Sequence, residues 1–134
     1  MKYDEFKKMM EKLPKPRSRH NNPEARLQQV CVEWFRYAYP NYLCFAVPNG
    51  GTRNVREAAS MKREGVMAGV ADLIVVAERA VLFIEMKVGN NKQQESQKAF
   101  QKAVERLGHT YVVCHSLKEF QLTVERWLKE RYGI

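Results

Sequence analysis

The chain has 134 residues, 45% of them apolar, and this length suits one domain with one hydrophobic core. Its 23 Lys and Arg residues outnumber its 15 Asp and Glu residues, which gives a formal net charge of +8 and favours a polyanionic partner, nucleic acid before an anionic membrane. No apolar run nears the roughly 18 residues of a membrane span, so we expect a soluble, cytoplasmic protein.

The first 21 residues form a basic segment that we separate from a domain spanning residues 22–134. The pattern from Tyr3 to Lys12 predicts a short amphipathic helix, and the prolines of L-P-K-P-R-S-R-H-N-N-P predict a basic linker after it. The start, M-K-Y-D-E-F-K-K, lacks the apolar stretch of a signal peptide. Three roles are open for this segment: wrapping DNA, mediating dimerisation or remaining disordered.

Asn22 and Pro23 predict the start of the next helix, as an N-cap followed by proline at the first helical position. The helix should end before Pro40. Its inward face is predicted from apolar residues at helical spacing: Leu27, Val30, Cys31, Trp34 and Ala38.

A strand, a helix and a hairpin come next. Y-L-C-F-A-V predicts a strand closed by the turn P-N-G-G, and residues Asn54 to Glu64 predict a helix that Gly65 ends. Two apolar strands follow in A-D-L-I-V-V-A-E-R-A-V-L-F-I-E-M-K, with Glu78 and Arg79 as the loop between them.

A helix, a strand and a last helix complete the chain. After G-N-N-K the helix should run to Leu107 with Gly108 as its stop, T-Y-V-V-C is a strand, and Ser116 with Glu119 predicts a capping box. The predicted inward residues are Phe100, Ala103, Val104 and Leu107 in the first helix, and Phe120, Val124, Trp127 and Leu128 in the second. The order of elements predicts a mixed α/β sandwich.

The hairpin brings three polar side chains to one place. If Ala77 opposes Ala80, every pair sums to 157, so Asp72 lies across from Glu85 and Lys87 shares their face. Glu-Arg is not the favoured turn chemistry, but a longer loop with the same centre keeps this pairing. Both hairpin faces are apolar, so we expect central strands covered on both sides: Ile74, Val76, Val81 and Phe83 with the acids, and Leu73, Val75, Leu82 and Ile84 opposite.

Two adjacent carboxylates at the edge of a core repel each other, and one would take up a proton unless a cation lay between them. A divalent metal removes this conflict, because Mg²⁺ prefers carboxylate and main-chain carbonyl oxygens with water. The structural alternative is a Glu85–Lys87 salt bridge with Asp72 capping a turn. The grouping of all three on one face, in a chain of net charge +8, favours the functional interpretation.

Glu24 and two glutamines are further candidates. Glu24 lies on the inward stripe of its helix, whereas Glu33 lies on the solvated side, so Glu24 is preferred for the outer metal shell. Its alternative role is a favourable charge at a helix N-terminus. Gln28 and Gln97 face inward near this end of the sheet, where either hydrogen-bonds a site carboxylate or is a satisfied polar group at the core edge.

A loop and helix with exposed donors follow the first strand. Asn49, Gly50 and Gly51 offer backbone N–H groups there, which together with nearby basic side chains suits contact with phosphates. The basic side chains are Arg53, Arg56, Lys62 and Arg63. The alternative is an ordinary solvated helix face.

Cysteine and histidine patterns exclude two other kinds of site. Cys31, Cys44 and Cys114 are odd in number and far apart, which indicates core residues instead of disulfides or a zinc site. The three histidines have no metal-ligand spacing, and neither G-x-x-x-x-G-K-[ST] nor G-x-S-x-G is present.

G-V-M-A-G-V-A-D-L followed by F-I-E-M-K resembles the PD-(D/E)XK nuclease motif, in particular its small VRR-NUC branch, best known from stand-alone phage proteins and the nuclease ends of DNA-repair enzymes. P-E-A-R-L-Q, V-P-N-G-G-T-R, the Gln97 helix and V-V-C-H-S-L-K-E-F also fit, over residues 22 to 128. Ala71 departs from the proline usual before the aspartate, a position that shapes the turn and ligates nothing. The resemblance implies a restriction-endonuclease-like core, a central mixed four-stranded sheet flanked by helices.

For the chemistry, the resemblance implies a metal-dependent endodeoxyribonuclease. Asp72, Glu85, the Met86 main-chain carbonyl and Glu24 would bind Mg²⁺ or Mn²⁺. Lys87 would orient or help deprotonate the attacking water, and the products would carry a 5′-phosphate. Gln97 completes the expected catalytic set.

For the substrate, stand-alone family members of this length resemble Holliday-junction resolvases, which implies a homodimer that cuts branched DNA in repair or recombination. Alternatives are a flap-type or non-selective nuclease and a non-catalytic nucleic-acid-binding module on the same fold. A membrane-surface protein anchored by the first 13 residues is a more distant alternative.

Overall fold

Helices and strands follow one another in the predicted order. The computed structural model describes residues 3–12, 22–48 and 55–133. Its helices and strands are α1 (Tyr3–Glu11), α2 (Pro23–Ala38), β1 (Leu43–Ala46), α3 (Val55–Arg63), β2 (Leu73–Ala77), β3 (Ala80–Met86), α4 (Glu95–Arg106), β4 (Thr110–Cys114) and α5 (Leu117–Tyr132). The predicted basic linker, the N-G-G part of the predicted turn and Asn54 lie outside the described residues. None of the helices described is long and apolar enough to cross a membrane.

The four strands form one mixed sheet in the order β1-β2-β3-β4. Strand β2 pairs antiparallel with β1 and with β3, and β3 pairs parallel with β4. The predicted hairpin strands are therefore central, as expected, and the chain returns through α4 to add β4 beside β3.

The hairpin has the predicted register. Ala77 pairs with Ala80 and Leu73 with Ile84, so each pair sums to 157, and Arg79 closes the Glu-Arg loop with a φ of 59°. The unfavoured turn chemistry is tolerated because the strands on either side are fixed by burial in the core. One residue beyond the last ladder pair, Asp72 leaves the strand level with Glu85.

The main core lies on the face that carries Leu73, Val75, Leu82 and Ile84, all of which are fully buried. Helices α2 and α5 cover this face, and Trp34 meets Phe120 edge to face with 5.9 Å between ring centroids. The buried helical residues in this core are Cys31, Trp34, Phe35, Phe120, Val124, Trp127 and Leu128, and α1 adds Phe6. The inward face predicted for α5 is thus confirmed in full.

The acidic face of the hairpin is covered less completely than predicted. Phe83 packs against Phe100 of α4 at 5.3 Å between centroids, and Val104 and Tyr111 complete a small second core. Ile74, Val76, Val81 and Phe83 are half-buried on this face, whereas the four residues behind them are fully buried. One helix, α4, is narrower than the sheet that it lies on, which leaves part of this face open.

Two of the inward residues predicted for α4 are wrong. Leu107 is 67% exposed and Ala103 is also exposed. The helix ends at Arg106, where Gly108 with a φ of 89° turns the chain into β4, so Leu107 is a C-cap residue directed away from the core. Phe100 and Val104 carry the contact with the sheet.

The predicted caps are confirmed with one change. Asn22 Oδ1 accepts a hydrogen bond from Ala25 N–H, and Ser116 Oγ accepts one from Glu119 N–H. The Glu119 carboxylate, however, accepts from His115 N–H instead of closing the box on Ser116. This bond lowers the pKa of Glu119 and ties the end of β4 to the start of α5.

Leu82 lies in the main core and Leu107 at the exposed end of α4, and the pair allows this packing to be tested. Leu82→Ala should lower the free energy of unfolding by about 2–5 kcal/mol, because it opens a cavity in the main core. Leu107→Ala, the same chemical change at an exposed cap, should alter it by no more than about 0.5 kcal/mol. Urea denaturation of both variants measures this, and a comparable loss in the two would contradict the observed end of α4.

Candidate functional site

The predicted polar residues of the hairpin line one cavity of about 430 Å³ at the ends of β2 and β3. The first turns of α2 and α4 form its other walls. The structure brings six predicted residues together there: Glu24, Gln28, Asp72, Glu85, Lys87 and Gln97. Asn22, Gly69, Gln94 and Ser96 also line the cavity and were not predicted for the site.

Asp72 and Glu85 are held side by side by the backbone. Asp72 Oδ2 accepts a hydrogen bond from Met86 N–H at 2.8 Å, and its main-chain carbonyl accepts one from Val47 N–H at 2.9 Å. Glu85 is only 2% exposed. Burial and then the neighbouring Asp72 raise the pKa of Glu85 to about 8, and Lys87 offsets part of this rise. The carboxylate pair is therefore electrostatically unfavourable as long as both groups are ionised.

Lys87 lies close to this pair without resolving the conflict. Its ammonium Nζ is 3.8 Å from Glu85 Oε1, and its side chain is almost fully buried. Its main-chain N–H donates to the Cys114 carbonyl at 3.0 Å, so the parallel neighbour β4 fixes its position. The Glu85–Lys87 salt bridge that the structural alternative predicts is thus present. Glu85 Oε2, however, is buried and has no hydrogen-bond partner among the described residues.

Gln97 is oriented from both sides. Gln94 N–H donates to Gln97 Oε1 at 2.8 Å, and Gln97 Nε2 donates to Glu85 Oε1 at 2.9 Å. Because a main-chain N–H can only donate, the amide oxygen has to face Gln94 and the NH₂ group has to face Glu85. Gln94 and Gln97 have the Q-x-x-Q spacing of a capping box, which is visible in the sequence. Glutamine is not a favoured N-cap, however, so this spacing alone gave little indication of the hydrogen bond between them.

Gly69 is the second glycine of the segment G-V-M-A-G-V-A-D-L, and no role was predicted for it. Its φ is +82°, and a Cβ placed on it would lie 2.2 Å from the Ser96 carbonyl oxygen. No other residue fits there without moving the backbone. The loop that leads into Asp72 therefore lies directly against the first turn of α4, which carries Gln97.

Several other predicted residues lie elsewhere. Glu33 is outside the cavity and accepts a hydrogen bond from Gln29 Nε2 on the surface of α2, whereas Glu24 lines the cavity. Three predicted phosphate-contacting residues, Arg56, Lys62 and Arg63, are exposed on α3. The other four, Asn49, Gly50, Gly51 and Arg53, lie outside the described residues.

The cysteines are core residues, as predicted. Cys31, Cys44 and Cys114 are buried, and burial raises the pKa of each thiol. Across the described ranges, no three His, Cys, Asp or Glu side chains are grouped so that they could hold a metal ion by themselves. A metal at this site would need Asp72 and Glu85 together with main-chain or water oxygens.

The raised pKa of Glu85 predicts how stability depends on pH. In EDTA and between about pH 4.5 and 8, the Glu85 carboxyl keeps its proton in the folded state and has lost it in the unfolded state. The free energy of unfolding should therefore fall as pH rises through this window. Glu85→Gln removes the ionisation and should be more stable than wild type at pH 8 by about 1–3 kcal/mol. Urea denaturation at a series of pH values measures the difference.

The control for this prediction is Glu130→Gln, an exposed carboxylate on α5, which should behave like wild type. Adding Mg²⁺ at pH 8 should stabilise wild type and have no such effect on Glu85→Gln, because ligands that bind only the folded state add to its stability. If the free energy of unfolding in EDTA depended on pH equally in wild type and Glu85→Gln, the proposed repulsion between Asp72 and ionised Glu85 would be contradicted.

Comparison with known proteins agrees with this fold. The family model "VRR-NUC domain" matches residues 22–118. A solved structure described as "VRR_NUC domain protein" has a TM-score of 0.65 at 25% identity, covering 82% of this chain and 91% of that one. Another, "VRR_NUC domain", has a TM-score of 0.55 at 23% identity, with coverage of 76% and 94%.

A search of curated proteins gave no match. The family model nevertheless covers well over half of the chain, and the mixed four-stranded sheet flanked by helices is that of the restriction-endonuclease-like fold. The chain belongs to the VRR-NUC family of nuclease domains.

Proposed function

We propose that this chain is a metal-dependent DNA endonuclease that hydrolyses phosphodiester bonds at the Asp72–Glu85–Lys87 cavity. The observation that supports it best is the buried carboxylate of Glu85 between half-buried Asp72 and buried Lys87, in which Glu85 Oε2 has no hydrogen-bond partner among the described residues. A buried carboxylate beside a second carboxylate destabilises a fold, so the presence of both at a cavity wall favours a role in binding a cation.

The donor chemistry of the cavity fits Mg²⁺ or Mn²⁺. Asp72 and Glu85 would be the carboxylate ligands, the Met86 main-chain carbonyl would be a third donor, and Glu24 would act in the outer shell. Glu24 lines the same cavity and also raises the pKa of Glu85, so a bound cation would relieve this repulsion as well. When bound, the ion supplies Lewis-acid stabilisation of the charge on the phosphate.

Lys87 is our candidate for handling the attacking water. Its ammonium lies beside Glu85 and is nearly excluded from solvent, where its charge is screened less than at the surface. In this position its positive charge would orient a water that attacks phosphorus in line, or help that water lose its proton to solvent, and it would stabilise the negative charge that develops. The bond to the 3′ oxygen breaks and this oxygen takes up a proton from solvent, so the product keeps the 5′-phosphate.

Gln97 would keep Glu85 in position. Its NH₂ group donates to Oε1, which fixes the orientation of the carboxylate, and Gln94 prevents the amide from flipping. Gln28 lines the opposite side from α2 and could hydrogen-bond a carboxylate or a water there.

Nucleic acid would be bound by positive charge beside the cavity. Arg56, Lys62 and Arg63 are exposed on α3. Asn49, Gly50, Gly51 and Arg53 lie outside the described residues and remain predicted phosphate contacts. We assign residues 22–134 to the nuclease domain and residues 1–21 to an N-terminal addition, whose helix places Phe6 in the domain core.

Branched DNA, in particular the four-way junction, is the substrate that we favour, with a homodimer supplying two sites for symmetric cuts in the cytoplasm. A flap-type or non-selective nuclease is the close alternative. A non-catalytic binding module is less consistent with the cavity, because a protein that only binds a polyanion gains nothing from two adjacent carboxylates at its binding cavity.

Cleavage of end-labelled DNA tests the proposal. On four-way junction, 5′ flap, duplex and single-stranded DNA, wild type should cut with Mg²⁺ or Mn²⁺ and not in EDTA, with paired symmetric nicks on the junction. Asp72→Ala and Lys87→Ala should each lower the rate by about 100-fold or more, since each removes a group that stabilises the transition state.

Lys129→Ala, an exposed lysine on α5, is the matched control and should cut like wild type. Single nicks near a flap would favour the flap-type alternative. If wild type binds every substrate and cuts none in either metal, the catalytic role is refuted and the binding module takes its place.

The salt dependence of binding tests the α3 surface separately. The double variant Lys62→Ala/Arg63→Ala should weaken binding to all DNA sequences and make the slope of log K against log salt shallower by roughly 0.9 for each lost phosphate contact. Arg126→Ala/Lys129→Ala on α5 removes the same charges elsewhere and should change neither the slope nor the affinity by as much. Equal effects of the two variants would argue against a specific role for α3.

A further inference from the structure

A second groove continues from the candidate active site. It has a volume of about 650 Å³ and lies between α3, the segment 65–69 that follows it, and the first turn of α4. Four of its lining residues, Pro48, Gly69, Gln94 and Ser96, also line the cavity that holds Asp72 and Glu85. The cavity and the groove therefore lie side by side and share a wall.

The chemistry differs between the cavity and the groove. The cavity at the carboxylates is polar, whereas the groove is lined by Ala58, Met61, Val66 and Met67, with Lys62 beside them. Met67 is 62% exposed and Val66 is 45% exposed, so this apolar lining faces solvent. Apolar surface kept open next to a polar site is typical of a place where a ligand contributes its own apolar part.

A nucleotide has one part that fits such a lining, which is the base. Phosphate and sugar are polar, while the base presents apolar π-faces that proteins contact when the base has left its stack. The groove volume lies within the roughly 300–1,000 Å³ of ordinary ligand sites. Gly69 is three residues before Asp72, so its Cα lies within about 11 Å of the carboxylate strand, the reach of a neighbouring nucleotide.

We propose that this groove, defined by Ala58, Val66 and Met67, binds the unstacked base of a nucleotide that flanks the cleaved phosphate. The inference rests on the proposed nuclease function and names the substrate class for it. Extruding a paired base costs a few kcal/mol, and the cost is least where the base is already unpaired. The enzyme therefore selects DNA with an unpaired or easily opened nucleotide at the cut, as at a branch point.

Fluorescence of 2-aminopurine tests the base position without relying on cleavage. The probe is placed at either nucleotide flanking the cut, and binding is followed in Ca²⁺. On wild type the emission should rise severalfold at one of these positions, because the base leaves its stack. Ala58→Phe, which fills the groove from an exposed helix position, should abolish the rise, whereas Ala103→Phe on the exposed side of α4 should not.

Cleavage in Mg²⁺ gives the second measurement. Ala58→Phe should slow cutting of intact DNA by roughly tenfold or more, and an abasic site at the same nucleotide should restore the rate, because no base then needs the groove. Met67→Glu should act in the same direction, with Leu122→Glu on α5 as its exposed control.

The two proposals fail in different ways. Cutting by wild type without a fluorescence rise at either flanking position would overturn the groove and leave the nuclease intact. Equal slowing of intact and abasic DNA by Ala58→Phe would overturn it as well. A fluorescence rise with the probe at a branch-point nucleotide, without any cutting, would support base binding in the groove and refute the nuclease.

Discussion

Repulsion between Asp72 and Glu85 is the constraint on which the rest of the site depends. The pair lies where two central strands end, with Glu85 almost fully buried and its pKa raised by that burial and by Asp72. The fold tolerates the pair because Met86 N–H and the Gln97 amide donate hydrogen bonds to it and Lys87 supplies a positive charge, yet Glu85 Oε2 has no partner among the described residues. A divalent cation would provide the missing partner for this oxygen and reduce the repulsion between the two carboxylates.

Each neighbouring element contributes one support to the pair. The hairpin fixes which residues are opposite, β4 anchors Lys87, and the first turn of α4 presents Gln97. Gly69 allows the Asp72 loop to lie against that same turn. Residues far apart in the sequence thus form one connected unit, which explains how a chain of this size holds a buried charge cluster without a disulfide.

Much of this arrangement could be predicted from the sequence, because it follows from local rules. The alternation of the hairpin gave its register and its three polar residues, and the capping pattern at Asn22 gave the start of α2. Gly108 was correctly predicted as the stop of α4, but Leu107 was misplaced because helical spacing does not show that the residue before this glycine is a C-cap directed away from the core. The Gln94–Gln97 bond and the contact of Gly69 with Ser96 depend on how distant segments pack, which no spacing within one segment reports.

The unequal covering of the two sheet faces has a consequence for how such a protein can change. Residues such as Leu82 and Ile84 bury the main core on one side, while the half-buried side with Val76, Val81 and Phe83 contacts α4 only in part. Mutations on the thinly covered side therefore carry a smaller folding penalty. Related proteins could therefore differ in their substrate contacts on this side, while the free energy of unfolding, which depends mainly on the core on the other side, stays nearly constant.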